Sequence, residues 1–158
     1  MLRKFNVFTG EVPLEDEQHR RPGYAQRAFA VDEEIGGEEI GGAVWELEEG
    51  ERVCPYHYHH GVEEWGIVLS GEPTVRRPDG ETKLRPGDVV CFPGNPEGAH
   101  TFHGPGRVLI VSREIWPAVV VYPDSDKIGA RPGPMGTHVE DRGNFPRTCA
   151  VDYFHGEL

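Results

Sequence analysis

Residues 57–71 of the chain read HYHHGVEEWGIVLSG, a stretch that combines closely spaced histidines, a carboxylate and a closing glycine. His57 and His59 are one residue apart, so a β-strand would direct both imidazoles to the same face. Glu64 follows and opens an apolar run that ends at Ser70-Gly71. The segment therefore predicts strands that carry metal-binding side chains.

A fourth candidate ligand, His100, lies beyond a second segment marked by glycine and proline. Alternation along the strands allows four side chains to converge: His57, His59, Glu64 and His100. His60 and His103 fall on the opposite faces. Three imidazole nitrogens and one carboxylate oxygen suit a divalent first-row metal and leave coordination positions open for a substrate.

Short strands separated by turns account for most of the remaining sequence. The expected strands cover residues 43–47, 64–69, 74–77, 82–84, 89–92, 99–103, 108–113 and 118–122. Turn signals such as Pro78-Asp79-Gly80 separate them, and this spacing is typical of an all-β sandwich or barrel. At 158 residues we expect one domain, with an N-terminal arm at 1–27, a barrel core at about 28–122 and a C-terminal extension at 123–158.

Several local features carry their own expectations. The direct repeat of EEIGG at residues 33–37 and 38–42 predicts a flexible hairpin loop. The segment Gly129–Gly136 (GARPGPMG) is too rich in glycine and proline for a regular element. Cys91 lies in an apolar run and is expected to be a small buried hydrophobic residue, and Trp65 is expected to lie in the core.

The charge, the apolar runs and the cysteine spacing of the chain indicate which partners and locations are expected. The formal net charge of −11 disfavours nucleic acid and anionic membrane surfaces, which would repel the chain. No apolar run approaches the roughly 20 residues of a membrane helix, and the N-terminus lacks the apolar stretch of a signal peptide, so a cytoplasmic location is expected. The three cysteines are widely spaced, which argues against a disulfide framework and a Cys-x-x-Cys zinc site.

The combined pattern resembles the two motifs of the cupin superfamily over about residues 43–113. The first motif, G-x5-H-x-H-x3,4-E-x6-G, corresponds to His57, His59, Glu64 and Gly71, with its leading glycine at Gly50 after one additional residue. The second motif, G-x5-P-x-G-x2-H-x3-N, corresponds to Gly87, Pro93 and His100. Two extra residues separate Pro93 from His100, and Gly104 stands where asparagine is usual.

The resemblance is to small bacterial single-domain cupins, some of them described as uncharacterised or as sugar-phosphate isomerase-like. It implies a double-stranded β-helix of jelly-roll type and a site of three histidines and one glutamate for Mn, Fe, Ni, Zn or Co. It further implies a homodimer and either an isomerase-type or dioxygenase-type enzyme acting on a small oxygenated metabolite. A non-catalytic module that binds or senses a small molecule is the alternative, and spacing identifies no catalytic acid or base.

Overall fold

The computed structural model describes residues 1–134 and 137–157 and has an all-β architecture built from antiparallel strand pairs. Its strands are β1 (Arg27–Ala30), β2 (Ile40–Leu47), β3 (Tyr58–His60), β4 (Glu64–Gly71), β5 (Thr74–Arg77), β6 (Gly80–Lys83), β7 (Val89–Phe92), β8 (Thr101–His103), β9 (Gly106–Arg113), β10 (Ala118–Tyr122), β11 (Lys127–Arg131) and β12 (Gly143–Pro146). The helical elements are α1 (Val31–Ile35) and the 3₁₀ turns Pro96–Gly98, Pro123–Ser125 and Arg147–Cys149. The predicted all-β class is confirmed.

The described strands form three sheets, with the orders β1-β2-β9-β4-β7, β12-β11-β10-β3 and β6-β5-β8. The main core lies between the first and third sheets, where Val68, Phe92, Phe102 and Val108 are at most 1% exposed. Each of these residues occupies the inward position of its strand, because successive side chains alternate between faces. The packing of two sheets around one core gives the jelly-roll barrel that the motifs predicted.

The N-terminal arm covers the outer face of the five-stranded sheet. Val12 of the arm is buried with Leu69 in a second apolar cluster on that face. The Arg107 guanidinium of β9 donates hydrogen bonds of 2.6 Å both to the Glu46 carboxylate and to the Gly10 carbonyl of the arm. The arm is therefore held to the sheet by apolar packing and by a charged anchor.

The EEIGG repeat does not form a hairpin loop, so that prediction was wrong. Most of the first copy lies in α1, which ends at Gly36 in the left-handed conformation. A glycine adopts this conformation without strain, which is why it ends helices so often. The second copy enters β2 at Ile40, and Asp32 of α1 accepts a hydrogen bond from the Gly42 amide.

The predictions for Cys91 and Trp65 were also wrong, since both side chains are exposed. Trp65 is paired with Cys91 where β4 meets β7, and β7 is the edge strand of its sheet. Phe92 takes the inward position of β7, so alternation turns Cys91 outward. The arm covers Leu69 on this face but leaves Trp65 48% exposed.

Gly129–Gly136 was expected to lack regular structure, but its first three residues belong to β11. This strand pairs with β10 on one side and β12 on the other, and hydrogen bonding on both sides outweighs the low strand propensity of glycine. Residues 135 and 136 lie outside the described part of the chain. None of the helices in the described part has the length and apolar character that crossing a membrane requires.

Candidate metal centre

Four side chains from separate elements meet at one end of the barrel. The Nε2 atoms of three histidines surround one oxygen of Glu64: Glu64 Oε2 lies 3.9 Å from His57, 3.3 Å from His59 and 3.6 Å from His100. The Nε2 atoms of His57 and His59 are 3.0 Å apart. The structure groups the ligand atoms of His57, His59 and Glu64, and His100 approaches this group through Glu64. His60 is exposed, and His103 lies on β8.

These separations can be compared with the geometry around a single ion. Two ligand atoms that each lie about 2.1 Å from a metal are about 3.0 Å apart at a right angle and about 4.2 Å apart when opposite. Each distance measured from Glu64 Oε2 to an imidazole, and that between His57 and His59, falls within this range. The ligand atoms of His57, His59 and Glu64 form a compact group that could hold a metal ion.

Hydrogen bonds to the backbone fix the orientation of two imidazoles. The Nδ1 atom of His57 lies 2.9 Å from the Pro55 carbonyl oxygen, and that of His100 lies 2.9 Å from the Gly98 carbonyl oxygen. A carbonyl can only accept, so Nδ1 carries the proton and each Nε2 presents a lone pair to the cluster. Metal-ligating histidines are held in this tautomer by the same kind of contact.

Neighbouring elements set the position of each ligand. His59 lies in β3 and is paired with Val120 of β10, and His57 forms an isolated bridge with His100. Glu64 begins β4, whose inward positions continue at Gly66 and Val68 as parity predicted. The cluster therefore spans two sheets, because β3 and β4 belong to different ones.

The 3₁₀ turn Pro96–Gly98 accommodates the two extra residues of the second motif. The Asn95 side chain accepts a hydrogen bond from the Glu97 amide and so caps the turn. The turn places the Gly98 carbonyl against His100, whose ring also stacks on Phe92 with centroids 3.6 Å apart and planes 7° apart. The insertion supplies an orienting contact for the histidine that follows it.

Burial controls the charge of the cluster in the absence of an ion. Burial lowers the pKa of His57, lowers that of His59 to about 4 with help from the charges of His57 and Arg131, and lowers that of His100 to about 3. Burial, with the nearby Glu114 carboxylate as a smaller cause, raises the pKa of Glu64 to about 7. Neutral imidazoles are the form that binds metal. A bound cation would also give the buried Glu64 carboxylate a positive partner and so favour its ionised form.

The cluster opens into a cavity of about 610 Å³. Its wall includes three polar residues that spacing did not identify: Glu114, Tyr122 and Arg131. Burial raises the pKa of the Glu114 carboxyl, with the Asp32 carboxylate as a second cause. Tyr122 could have been suspected from its shared strand parity with Ala118 and Val120, but Arg131 lies in a segment that was not expected to form a strand.

Comparisons with known proteins agree with this architecture. Residues 43–112 match the family described as the cupin domain. No curated protein is significantly similar to the sequence.

Two solved structures resemble the chain over most of its length. A candidate sugar phosphate isomerase from Acidithiobacillus ferrooxidans is 24% identical with a TM-score of 0.71, and the similarity covers 83% of this chain and 82% of that one. A second structure, from Silicibacter pomeroyi, is described as a sugar phosphate isomerase from a cupin superfamily. It is 19% identical with a TM-score of 0.72, and the similarity covers 94% of this chain and 96% of that one. At these identities the similarity shows a shared fold. The match places a cupin domain at residues 43–112, and the two motifs and the fold of the chain agree with it.

Proposed function

We propose that the chain binds a divalent first-row metal, one of Mn, Fe, Ni, Zn or Co, through four ligands: His57, His59, Glu64 and His100. The observation that carries this proposal is the approach of three histidine Nε2 atoms to one Glu64 oxygen at 3.3–3.9 Å. The backbone contacts at the Nδ1 atoms of His57 and His100 support it, because they leave Nε2 as the free donor.

We infer that the bound metal serves an enzyme that acts on a small oxygenated metabolite. A divalent ion held by four protein ligands would polarise a substrate oxygen at its remaining positions. The cavity around the cluster has room for such a molecule, and its wall carries Glu114 and Tyr122 as groups that can exchange or donate a proton. Isomerase-type chemistry uses proton exchange of this kind, and dioxygenase-type chemistry is the second form of the proposal.

Metal content tests the ligand assignment directly. Protein purified without chelator or metal-affinity resin should contain close to one equivalent of a first-row metal by elemental analysis. His59→Ala should remove most of it, because the variant deletes the imidazole nearest to Glu64. His60→Ala is the matched control, since this exposed neighbour lies on the opposite face of β3 and should leave the metal content unchanged. Full metal content in His59→Ala would refute the assignment.

Turnover separates the enzyme from the alternative, a non-catalytic module that binds or senses a small molecule. The metal-loaded protein is assayed for interconversion of a panel of aldoses and ketoses, and its Fe(II) form is assayed for oxygen consumption with small hydroxy-ketones. Activity that disappears in His59→Ala supports the enzyme. Tight retention of one small molecule without turnover would favour the binding module.

The expected homodimer and cytoplasmic location remain part of this proposal. The edge strand β7 and its neighbour β4 expose Val89 (57%) and Trp65 (48%), side chains that pairing of two barrels would cover. One chain has a mass of 17.6 kDa, and light scattering of the purified protein should give twice this value. A mass equal to one chain would contradict the dimer.

A further inference from the structure

The guanidinium of Arg131 borders the metal-site cavity and makes only uncharged contacts. Its Nη1 donates to the carbonyls of Ala130 and Gly143 at 2.9 and 3.0 Å, and its Nη2 donates to Asn144 Oδ1 and the Tyr122 hydroxyl at 2.9 and 3.2 Å. Among the residues that the structure describes, Arg131 forms no ion pair. The cavity wall therefore carries a rigidly held positive charge with no negative partner, in a chain of net charge −11.

Gly129 gives Arg131 the room to reach this position. A Cβ atom at Gly129 would lie 2.9 Å from Nη1 and 3.0 Å from Nη2 of Arg131, so a larger residue there would force the guanidinium to shift. The guanidinium thus lies across the bare backbone of Gly129 and contacts Tyr122 on the neighbouring strand. The glycine that lowers the strand propensity of β11 is the one that allows this contact.

Tyr122 joins the arginine to the metal cluster. Its oxygen accepts the Arg131 hydrogen bond, and its own proton has no acceptor among the described residues. Tyr122 shares the cavity-facing side of β10 with Ala118 and Val120, and its ring centroid lies 6.0 Å from that of His57. The phenol can therefore donate a hydrogen bond to a ligand in the cavity while Arg131 supplies the charge behind it.

We propose that Tyr122 and Arg131 form an anion subsite beside the metal centre. This inference rests on the proposed metal function and adds the class of ligand: a small molecule with one oxygen for the metal and a separate carboxylate or phosphate group. Tyr122 donates directly to that group, and Arg131 acts as a positioning residue that orients the phenol and attracts the anion. Charge-assisted hydrogen bonds of this type are roughly twice as strong as neutral ones.

Calorimetric titration of the Co²⁺-loaded protein tests the subsite. The probes are malate and glycerol 3-phosphate, which separate a carboxylate from a phosphate, with neutral glycerol as the uncharged reference. The variants are Tyr122→Phe, which keeps the ring, and Arg131→Met, with Arg113→Met as a control that removes an exposed arginine from the same cavity. We expect one of the anions to bind more tightly than glycerol, with about a tenfold or greater loss in the first two variants and less than about a twofold change in the control.

The outcomes of this experiment distinguish the two proposals. A wild-type protein that takes up no cobalt would overturn the proposed metal function. A cobalt-loaded protein that binds neither anion, binds glycerol equally well, or keeps its anion affinity in Tyr122→Phe and Arg131→Met would overturn the subsite alone. A loss confined to the anions supports it, because a general structural defect at Arg131 would weaken every probe, and Tyr122→Phe tests the hydroxyl without disturbing the contacts of β12.

Discussion

At the scale of single residues, backbone carbonyl groups hold the imidazoles of His57 and His100 in the tautomer that presents Nε2 to the cluster. Spacing and strand parity were enough to group His57, His59 and Glu64. The acceptors at Nδ1 are backbone carbonyls of Pro55 and Gly98, and their direction depends on turn conformations that residue identity does not determine. Sequence patterns report side-chain chemistry and leave such backbone partners hidden.

Replacing Glu64 with glutamine should stabilise the metal-free protein at alkaline pH. The folded pKa of Glu64, about 7, is above its ordinary value of 4.5, so its contribution to stability is present below pH 4.5 and is lost as the pH rises through 7. At pH 8 the variant should gain about 2–3 kcal/mol in the free energy of unfolding measured by urea titration. At pH 5 the gain should be small, because folded Glu64 is then protonated. Equal gains at both pH values would show that burial of this charge is not the cause.

Metal affinity should fall on acidification in two stages. Below about pH 7, a metal must displace the proton that Glu64 has taken up, and below about pH 4 it must also displace the proton on His59. One displaced proton lowers the affinity tenfold per pH unit, so we expect about a thousandfold weaker binding at pH 4 than at pH 8. Competition titrations against a chelator of known pH dependence measure this, and undiminished affinity at pH 4 would contradict it.

At the scale of elements, turns and alternation predicted most strands but failed where tertiary contacts decide. Strands β4, β5, β7, β9 and β10 closely follow the predicted segments because their apolar alternation is clear. Strand β11 was missed, because the composition of Gly129–Gly136 signals a loop and only pairing with β10 and β12 makes it a strand. Cys91 was misassigned because the apolar run of β7 resembles a strand buried on both faces, whereas it is an edge strand.

The 3₁₀ turn before β8 should be as important for metal binding as a ligand-bearing strand. In Gly98→Ala, the new Cβ would collide with the carbonyl oxygen of Pro93, so the turn must shift and its contact with His100 Nδ1 is lost. Metal affinity should fall by about 10–100-fold while the β-rich circular dichroism spectrum is retained. Glu97→Ala, at an exposed position of the same turn, is the control and should bind metal normally. Normal affinity in Gly98→Ala would show that the turn does not orient His100.

At the scale of the whole molecule, the candidate centre joins separate sheets of the barrel. His59 comes from the sheet of β3 and β10, Glu64 from the five-stranded sheet, and His100 from the segment that leads into β8 of the third sheet. An ion held by all of them would cross-link the sheets in the folded chain only. Sequence could place the ligands in separate strands, but the division of those strands among sheets depends on long-range pairing.

Added metal should therefore raise the melting temperature of protein that a chelator has freed of metal. At a free concentration of about 100 times Kd, one site contributes about 2.7 kcal/mol, which corresponds to about 5–10 °C for a chain of this size. Differential scanning calorimetry with and without cobalt measures the shift. His59→Ala should show little or no rise, and an equal rise in that variant would place the stabilising ion elsewhere.

The stacking of Phe92 on His100 links the chemistry of the centre to the hydrophobic interior. Phe92 is 1% exposed and also meets Phe102 edge-on, with ring centroids 5.8 Å apart. Exchanging His100 for aspartate to favour a harder cation would remove the aromatic partner of Phe92 and leave a void beneath the new carboxylate. A change of metal preference in this barrel therefore requires repacking of the core as well as a new ligand. A successful design would begin by refilling the space beside Phe92.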